Sequence, residues 1–167
     1  GFDGLARLVK TSPVPSVAIG GLKAGHVEQV FAAGARGLAV VSAICGTPDP
    51  EAATRELTRC VRELGFVGAL VNGFSQAGSA ESALYYDLPQ YRPFWRTVAE
   101  LDVPFYLHPR NPLPGDIRAY EGHNWLLGPS WGFHAETAVH ALRLIGSGLF
   151  DECPTLQIIL GHLGEDI

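Results

Sequence analysis

The chain contains no methionine, only 3 cysteines, and 12 lysines and arginines against 17 aspartates and glutamates among its 167 residues. Its basic residues are dispersed, with no two adjacent. A formal charge of −5 without a basic stripe argues against a nucleic-acid groove or a polybasic membrane anchor. A membrane helix needs about twenty predominantly apolar residues. The apolar-rich stretch 37–48 is broken by serine, threonine and glycine, so no membrane span is expected. No basic-then-apolar leader is visible either, which suggests a soluble, cytoplasmic chain. Cys45, Cys60 and Cys153 are odd in number and form no C-x-x-C pair, which disfavours a disulfide framework or a zinc knot and favours reduced thiols. The opening Gly1-Phe2-Asp3, without an initiator, suggests a fragment or a processed product.

What is present can fold. Apolar residues make up 47% of the chain and charged residues 17%, with 3 Trp, 5 Tyr and 8 Phe, enough to bury a core and to exclude general disorder. Short β-branched runs alternate with amphipathic stretches. A helix over 3–10 ends at Pro13-Val14-Pro15, and the strand Ser16-Val17-Ala18-Ile19 closes on Gly20-Gly21. A short helix over 25–33 puts Val27, Val30 and Phe31 on one face and leads to a strand over 37–42. Asp49-Pro50 supplies an N-cap with proline at the first helical position, for a helix reaching about residue 64. Strands over 66–71 and 103–107, a helix over 91–101, an irregular segment 109–131, a helix over 133–145 and a strand over 156–160 follow.

Strands alternating with helices imply a parallel sheet, and continuously apolar strands imply burial on both faces. An eight-stranded barrel takes about 250 residues. The expected fold is therefore α/β, a partial (β/α) barrel of the TIM type with about five parallel strands and crossover helices.

In such folds function collects at the carboxyl ends of strands. Those ends read Gly20-Gly21, Ser42, Asn72, His108 and His162. The first two offer uncovered backbone N–H groups, a nearby helix start and a hydroxyl, either as a phosphate site or, for Gly-Gly, as a tight turn alone. The later ends suit a metal or acid–base site. His108 ends a β-run and precedes Pro109-Arg110, and His162 and Glu165 share a G-H-x-G-E turn. The alternative is a pair of satisfied core histidines. His134 and His140 fall on different faces of one helix and fit an ordinary helix-surface or a packing role. His26 suits a solvated helix start and His123 a hydrogen-bonded loop. Phe133 and Trp131 either wall an aromatic pocket or cover a core edge. Tyr85-Tyr86-Asp87 through Phe94-Trp95 pack a long loop.

Two resemblances meet in the chain. Residues 1–53 resemble the C-terminal part of thiamine phosphate synthase, through Pro13-Val14-Pro15, Val17-Ala18-Ile19-Gly20-Gly21, Ala33-Gly34-Ala35-Arg36-Gly37 and Ala39-Val40-Val41-Ser42-Ala43-Ile44. That family is a (β/α)₈ barrel joining a pyrimidine pyrophosphate to a thiazole phosphate. The resemblance implies phosphate contacts at Gly21, Val41 and Ser42. The family's pyrophosphate-binding and magnesium-binding residues lie on earlier strands, so synthase activity is not implied.

Residues 49–167 resemble the amidohydrolase-related decarboxylases of dihydroxybenzoate-type acids. The likeness runs through Arg62-Glu63-Leu64-Gly65-Phe66-Val67-Gly68-Ala69-Leu70-Val71-Asn72-Gly73-Phe74-Ser75-Gln76, Tyr85-Tyr86-Asp87, Phe105-Tyr106-Leu107-His108-Pro109-Arg110, Trp131-Gly132-Phe133-His134-Ala135-Glu136-Thr137 and Gly161-His162-Leu163-Gly164-Glu165. It implies a carboxy-lyase using Zn²⁺ or Mn²⁺, with His108 as a metal ligand. His162 and Glu165 become the acid–base and orienting pair, and Phe133 faces the aromatic ring. The family's Glu-x-His strand is replaced here and its last-strand aspartate falls beyond Ile167, so low or no activity is expected. Asp49-Pro50-Glu51-Ala52-Ala53 is acceptable to either family, which suggests a chimeric partial barrel joined there. Expected ligands are an aromatic acid or a phosphate, and exposed strand edges leave room for a homo-oligomer.

Overall fold

The structure is a computed structural model that describes residues 1–19, 21–22, 24–39, 49–76 and 78–164. Its elements run α1 (Phe2–Thr11), β1 (Val17–Ile19), α2 (Val27–Ala32), β2 (Gly37–Ala39), α3 (Pro50–Arg62), β3 (Ala69–Asn72), α4 (Arg92–Glu100), β4 (Phe105–His108), α5 (Gly132–Gly146), α6 (Leu149–Glu152) and β5 (Ile158–Leu160). β1 and β2 pair in parallel, as do β3, β4 and β5, in the order of the chain. Within each of these two sheets every strand lies beside its sequence neighbour with no reversal of order. That order is consistent with part of a barrel, with none of the switch in direction of a doubly wound sheet among the described strands. Among the described residues no ladder joins β2 to β3.

Register and alternation sort the side chains. Phe105 and Leu107, each 1% exposed, point from β4 to the helices. Leu70, Tyr106 and Ile159 are register partners on the opposite, inner face, with Asn72 and His108 side by side one step further on. The inner face is thus apolar along the strands and polar at their carboxyl ends. β1 repeats the alternation: Ala18 is buried, while Val17 and Ile19 are each 61% exposed.

One core holds the helices to the strands, gathering Val30 and Leu38 with Leu57, Trp95, Phe105 and Leu144. Trp95 packs edge-on against Phe105 at 4.9 Å, and its indole N–H donates to the Tyr86 carbonyl at 2.7 Å. α3 forms where its signals predict. Asp49 Oδ1 accepts from the N–H groups of Glu51 and Ala52, Pro50 opens the helix, and Ala53, Leu57 and Cys60 make its buried stripe.

Several boundaries differ from the sequence reading. Pairing of β3 begins at Ala69 rather than at Phe66 and includes Asn72. Pro104, opposite, accepts from the Ala69 N–H through its carbonyl but has no N–H to give in return, and the β4 ladder starts at Phe105. The helix expected over 25–33 divides into a 3₁₀ turn, Ala24–His26, and the shorter α2, whose Phe31 stays 43% exposed. The irregular segment 109–131 contains three 3₁₀ turns, Asp116–Tyr120, Asn124–Leu126 and Gly128–Ser130, and α6 is an additional short helix. Residues 40–42, the end of the second expected strand, lie outside the described residues.

Candidate active site at the strand ends

His108 is the last residue of β4, in register with Asn72 at the end of β3. Its Nδ1 lies 2.9 Å from Asn72 Oδ1 and 2.9 Å from the Pro109 carbonyl. A peptide carbonyl can only accept, so Nδ1 carries the proton in the neutral ring and Nε2 keeps its lone pair. This is the tautomer suited to binding a metal through Nε2. The Tyr106 ring stacks at 6.2 Å from the imidazole and restricts its tilt.

His162 reaches the same place through a strained turn. Gly161 is buried after β5, and a Cβ there would stand 2.6 Å from Pro109 Cδ, so only glycine lets the chain pass. His162 and Leu163 then take left-handed backbone, φ 44° and 66°. This conformation is costly for residues with a Cβ and clusters at functional positions. The His162 ring lies 5.7 Å from His108, edge to face, and 5.8 Å from Phe133. Phe133 comes from the first turn of α5, behind the buried Gly132. The structure therefore brings together His108, His162 and Phe133 from three separate strand–helix units. Phe133 lines the cavity next to His108, whereas Trp131 is 46% exposed and stacks on His134.

That cavity, of about 620 Å³, is also lined by Asn72, Gln76, Arg110 and Asn111. Asn72 ended a predicted strand but had no assigned role, and Arg110 was no more than the residue after His108-Pro109. Their partners lie 34 to 36 residues away in sequence, at distances that no local pattern registers. Glu165, Val41 and Ser42 lie outside the described residues. Gly21 follows β1 with φ 64° and open space around it, so its backbone conformation alone requires glycine.

A tight divalent-metal site usually needs three or four protein ligands. Among the described residues no three His, Cys, Asp or Glu side chains gather. His108 fits one position of a coordination sphere and does not complete it.

A second polar cluster lies behind the cavity. Glu136, His140 and Arg143 follow one another along a stripe of α5 and engage three consecutive residues. The Tyr85 hydroxyl donates to Glu136 at 2.6 Å, the Tyr86 N–H donates to His140 Nε2 at 3.1 Å, and Arg143 forks onto Asp87 at 2.8 and 3.0 Å. Burial pushes the His140 imidazole down to about 3, raises the Glu136 carboxyl above its ordinary value and raises the Tyr85 phenol. Of the surface and packing roles open to His140, its burial gives packing. Tyr85-Tyr86-Asp87 fasten the loop after β3 to α5. His26 lies against Phe2 and His123 against Trp125, both away from the cavity. The described cysteines, Cys60 and Cys153, are free and buried, and burial raises the Cys60 thiol to about 11.

Comparison with known proteins places this geometry. The gamma-resorcylate decarboxylase of Rhizobium sp. (strain MTP-10005) is 73% identical over 119 residues, which are 71% of this chain and 36% of that protein. The dihydroxybenzoic acid decarboxylase of Polaromonas sp. JS666, solved with bound manganese and the inhibitor 2-nitroresorcinol, superposes with a TM-score of 0.75 at 64% identity over 83% of this chain and 41% of its own. The thiamine-phosphate synthase of Vibrio campbellii is 45% identical over 62 residues, 37% of this chain and 30% of that protein. The chain thus spans little more than a third of the length of the curated decarboxylases that it matches. The sequence profile described as Amidohydrolase matches residues 21–166, running through Asp49 and taking in β2 to β5 with the two histidines at their ends, and by that match the chain belongs to the amidohydrolase family.

Proposed function

We propose that the chain carries part of the active site of a metal-dependent, non-oxidative decarboxylase acting on a hydroxybenzoate-type aromatic acid. The observation that carries this reading is that His108 and Phe133 line one cavity and the His162 ring packs against both, in a chain 73% identical over 119 residues to a gamma-resorcylate decarboxylase. Phe133 stacks on the ring, and His162, oriented by Glu165, delivers a proton to the ring carbon that bears the carboxylate. The bond from that carbon to the carboxylate then breaks, its electron pair returns to the ring, and CO₂ leaves as aromaticity is restored. His108 offers Nε2 to a divalent metal, Mn²⁺ or Zn²⁺, which when bound supplies positive charge next to the carboxylate and its ortho hydroxyl. Manganese in the related decarboxylase structures supports that choice of metal.

Mn²⁺ titration and CO₂ release from 2,6-dihydroxybenzoate test the reading. The expected result is weak Mn²⁺ binding with slow CO₂ release, both abolished by His108→Ala. The reading fails if the Mn²⁺-supplemented chain shows neither.

The likeness of the N-terminal part to thiamine-phosphate synthases supports a second reading, a phosphate site at Gly21, Val41 and Ser42. Calorimetry with inorganic phosphate tests it, and an unchanged signal in Ser42→Ala refutes it. The division at 49–53 into a synthase-like and a decarboxylase-like segment is likewise a proposal, which a transcript giving two separate reading frames across residues 45–60 would contradict. Exposed apolar strand faces favour a homo-oligomer. The free thiols of Cys60 and Cys153 favour a reducing, cytoplasmic setting.

A further inference from the structure

The geometry points to Arg110 as an anchor that holds the carboxylate of an aromatic acid in the cavity beside His108 without any metal. The inference rests on the proposed function for the position of the substrate, but not for the metal.

Three observations carry it. The first is charge. Among the described residues lining the cavity, Arg110 alone bears a full charge and none is acidic. The Glu136 carboxyl feels the guanidinium, but it is bonded to Tyr85 and does not line the cavity. Arg110 has no ion pair among the described residues. Two of its N–H groups are engaged, by the Phe74 carbonyl at 2.7 Å and by Gln76 Oε1 at 3.2 Å, and the others have no partner there.

The second is preorganisation. The guanidinium lies over the Phe74 ring at 3.9 Å, so one face is fixed and its rotamer freedom is already spent. The side-chain stem crosses the main chain at Gly73, whose φ is 63° and where an added Cβ would collide with Arg110 Cγ and Cδ. The backbone after β3 is shaped to let this arginine reach across it.

The third is the polarity of the remaining lining. Each lining amide has its oxygen engaged: Asn72 Oδ1 by His108, Gln76 Oε1 by Arg110 and Asn111 Oδ1 by the Gly128 N–H at 2.8 Å. The amide groups of Asn72 and Asn111 are left as donors. A cavity with one cation, spare donors and an aromatic wall at Phe133 fits a flat aromatic anion. Charge-assisted hydrogen bonds from a fixed fork are the strong kind.

The test titrates the metal-free chain, in EDTA, with 2,6-dihydroxybenzoate and with resorcinol, which lacks the carboxylate. Calorimetry gives affinities, and the ¹⁵N resonance of Arg110 Nε reports on the anchor in the unmodified chain. The acid is expected to bind about tenfold or more tighter than resorcinol and to shift the Nε resonance, with resorcinol leaving it in place. Arg110→Gln should erase the preference without weakening resorcinol, and Gly73→Ala, which keeps the charge but displaces the stem, should reduce it. Equal binding of the two ligands, an unmoved Nε resonance, or a preference that survives Arg110→Gln would overturn the inference. Failure to bind Mn²⁺ or release CO₂ counts against the proposed function alone, because no metal is present in this titration.

Discussion

His140 is 1% exposed and accepts the Tyr86 N–H at Nε2, so its proton sits on Nδ1, which has no partner among the described residues. Burial disfavours a charge on the ring, and Arg143 adds to that against the pull of Asp87, so its pKa falls to about 3. The sign of the linkage follows. The unfolded imidazole takes up a proton below about 6.5 and the folded one does not. His140 therefore contributes stability in full above that pH and loses it as the pH falls towards 3, by about 5 kcal/mol at most. Glu136 acts in the opposite sense. Its raised carboxyl favours the neutral form, so its contribution is present below the ordinary carboxylate value and lost as the pH rises through the folded one. Urea denaturation between pH 7 and 4 should show His140→Gln, which keeps an acceptor for Tyr86, losing less stability on acidification than the unaltered chain. Equal slopes would remove His140 from the acid response. The places of His108 and His162 at neighbouring strand ends were legible from sequence because each follows an apolar strand run. His140 and Arg110 were not, since their roles come from Tyr86 and Phe74, set against them by the tertiary fold.

At the scale of elements, the chemistry of the ends was the readable part. Asp49-Pro50 placed the start of α3 correctly because an N-cap is a local hydrogen bond, closed within three residues. Asp49→Ala should cost about 1 kcal/mol, read as a lower urea midpoint at an unchanged slope. The Arg55–Asp49 ion pair at 4.0 Å is too exposed to alter that figure much. A change in slope instead would mean that α3 contributes to the compactness of the whole domain. The start of β3 was misplaced because its signal lies elsewhere. Phe66 and Val67 have strand-like side chains, yet Val67 is 83% exposed, and pairing waits for the end of the proline-interrupted segment opposite. The clasp between α5 and residues 85–87 was invisible for a related reason. Tyr85, Tyr86 and Asp87 carry no helical or strand period, and their order matters only once α5 presents Glu136, His140 and Arg143 to them.

The whole molecule carries a consequence of its winding. A barrel strand is apolar on two faces because helices cover one and the opposite strands cover the other. Here the helix side is filled, with Phe105, Leu107, Trp95 and Leu57 all nearly inaccessible. On the inner side Val17 and Ile19 remain 61% exposed and Ile159 44%, and α5 also leaves Val139, Leu142 and Ile145 about half exposed, at 49%, 57% and 54%. β5 has β4 as its only partner among the described residues, so one edge offers unpaired backbone groups. Apolar area of this kind is worth about 25 cal/mol per Å² when covered, and an uncapped parallel edge invites another chain. Self-association is the expected outcome. In size-exclusion chromatography with light scattering the chain should elute above the mass of one copy and dissociate on dilution. Ile159→Lys, which adds a charge to the inner face beside that edge, should shift it towards the single copy while near-ultraviolet circular dichroism holds its tertiary signal. A strictly monomeric chain at tens of micromolar would mean that the inner face tolerates water. The exposed valines and isoleucines would then have to be stabilised by packing among themselves.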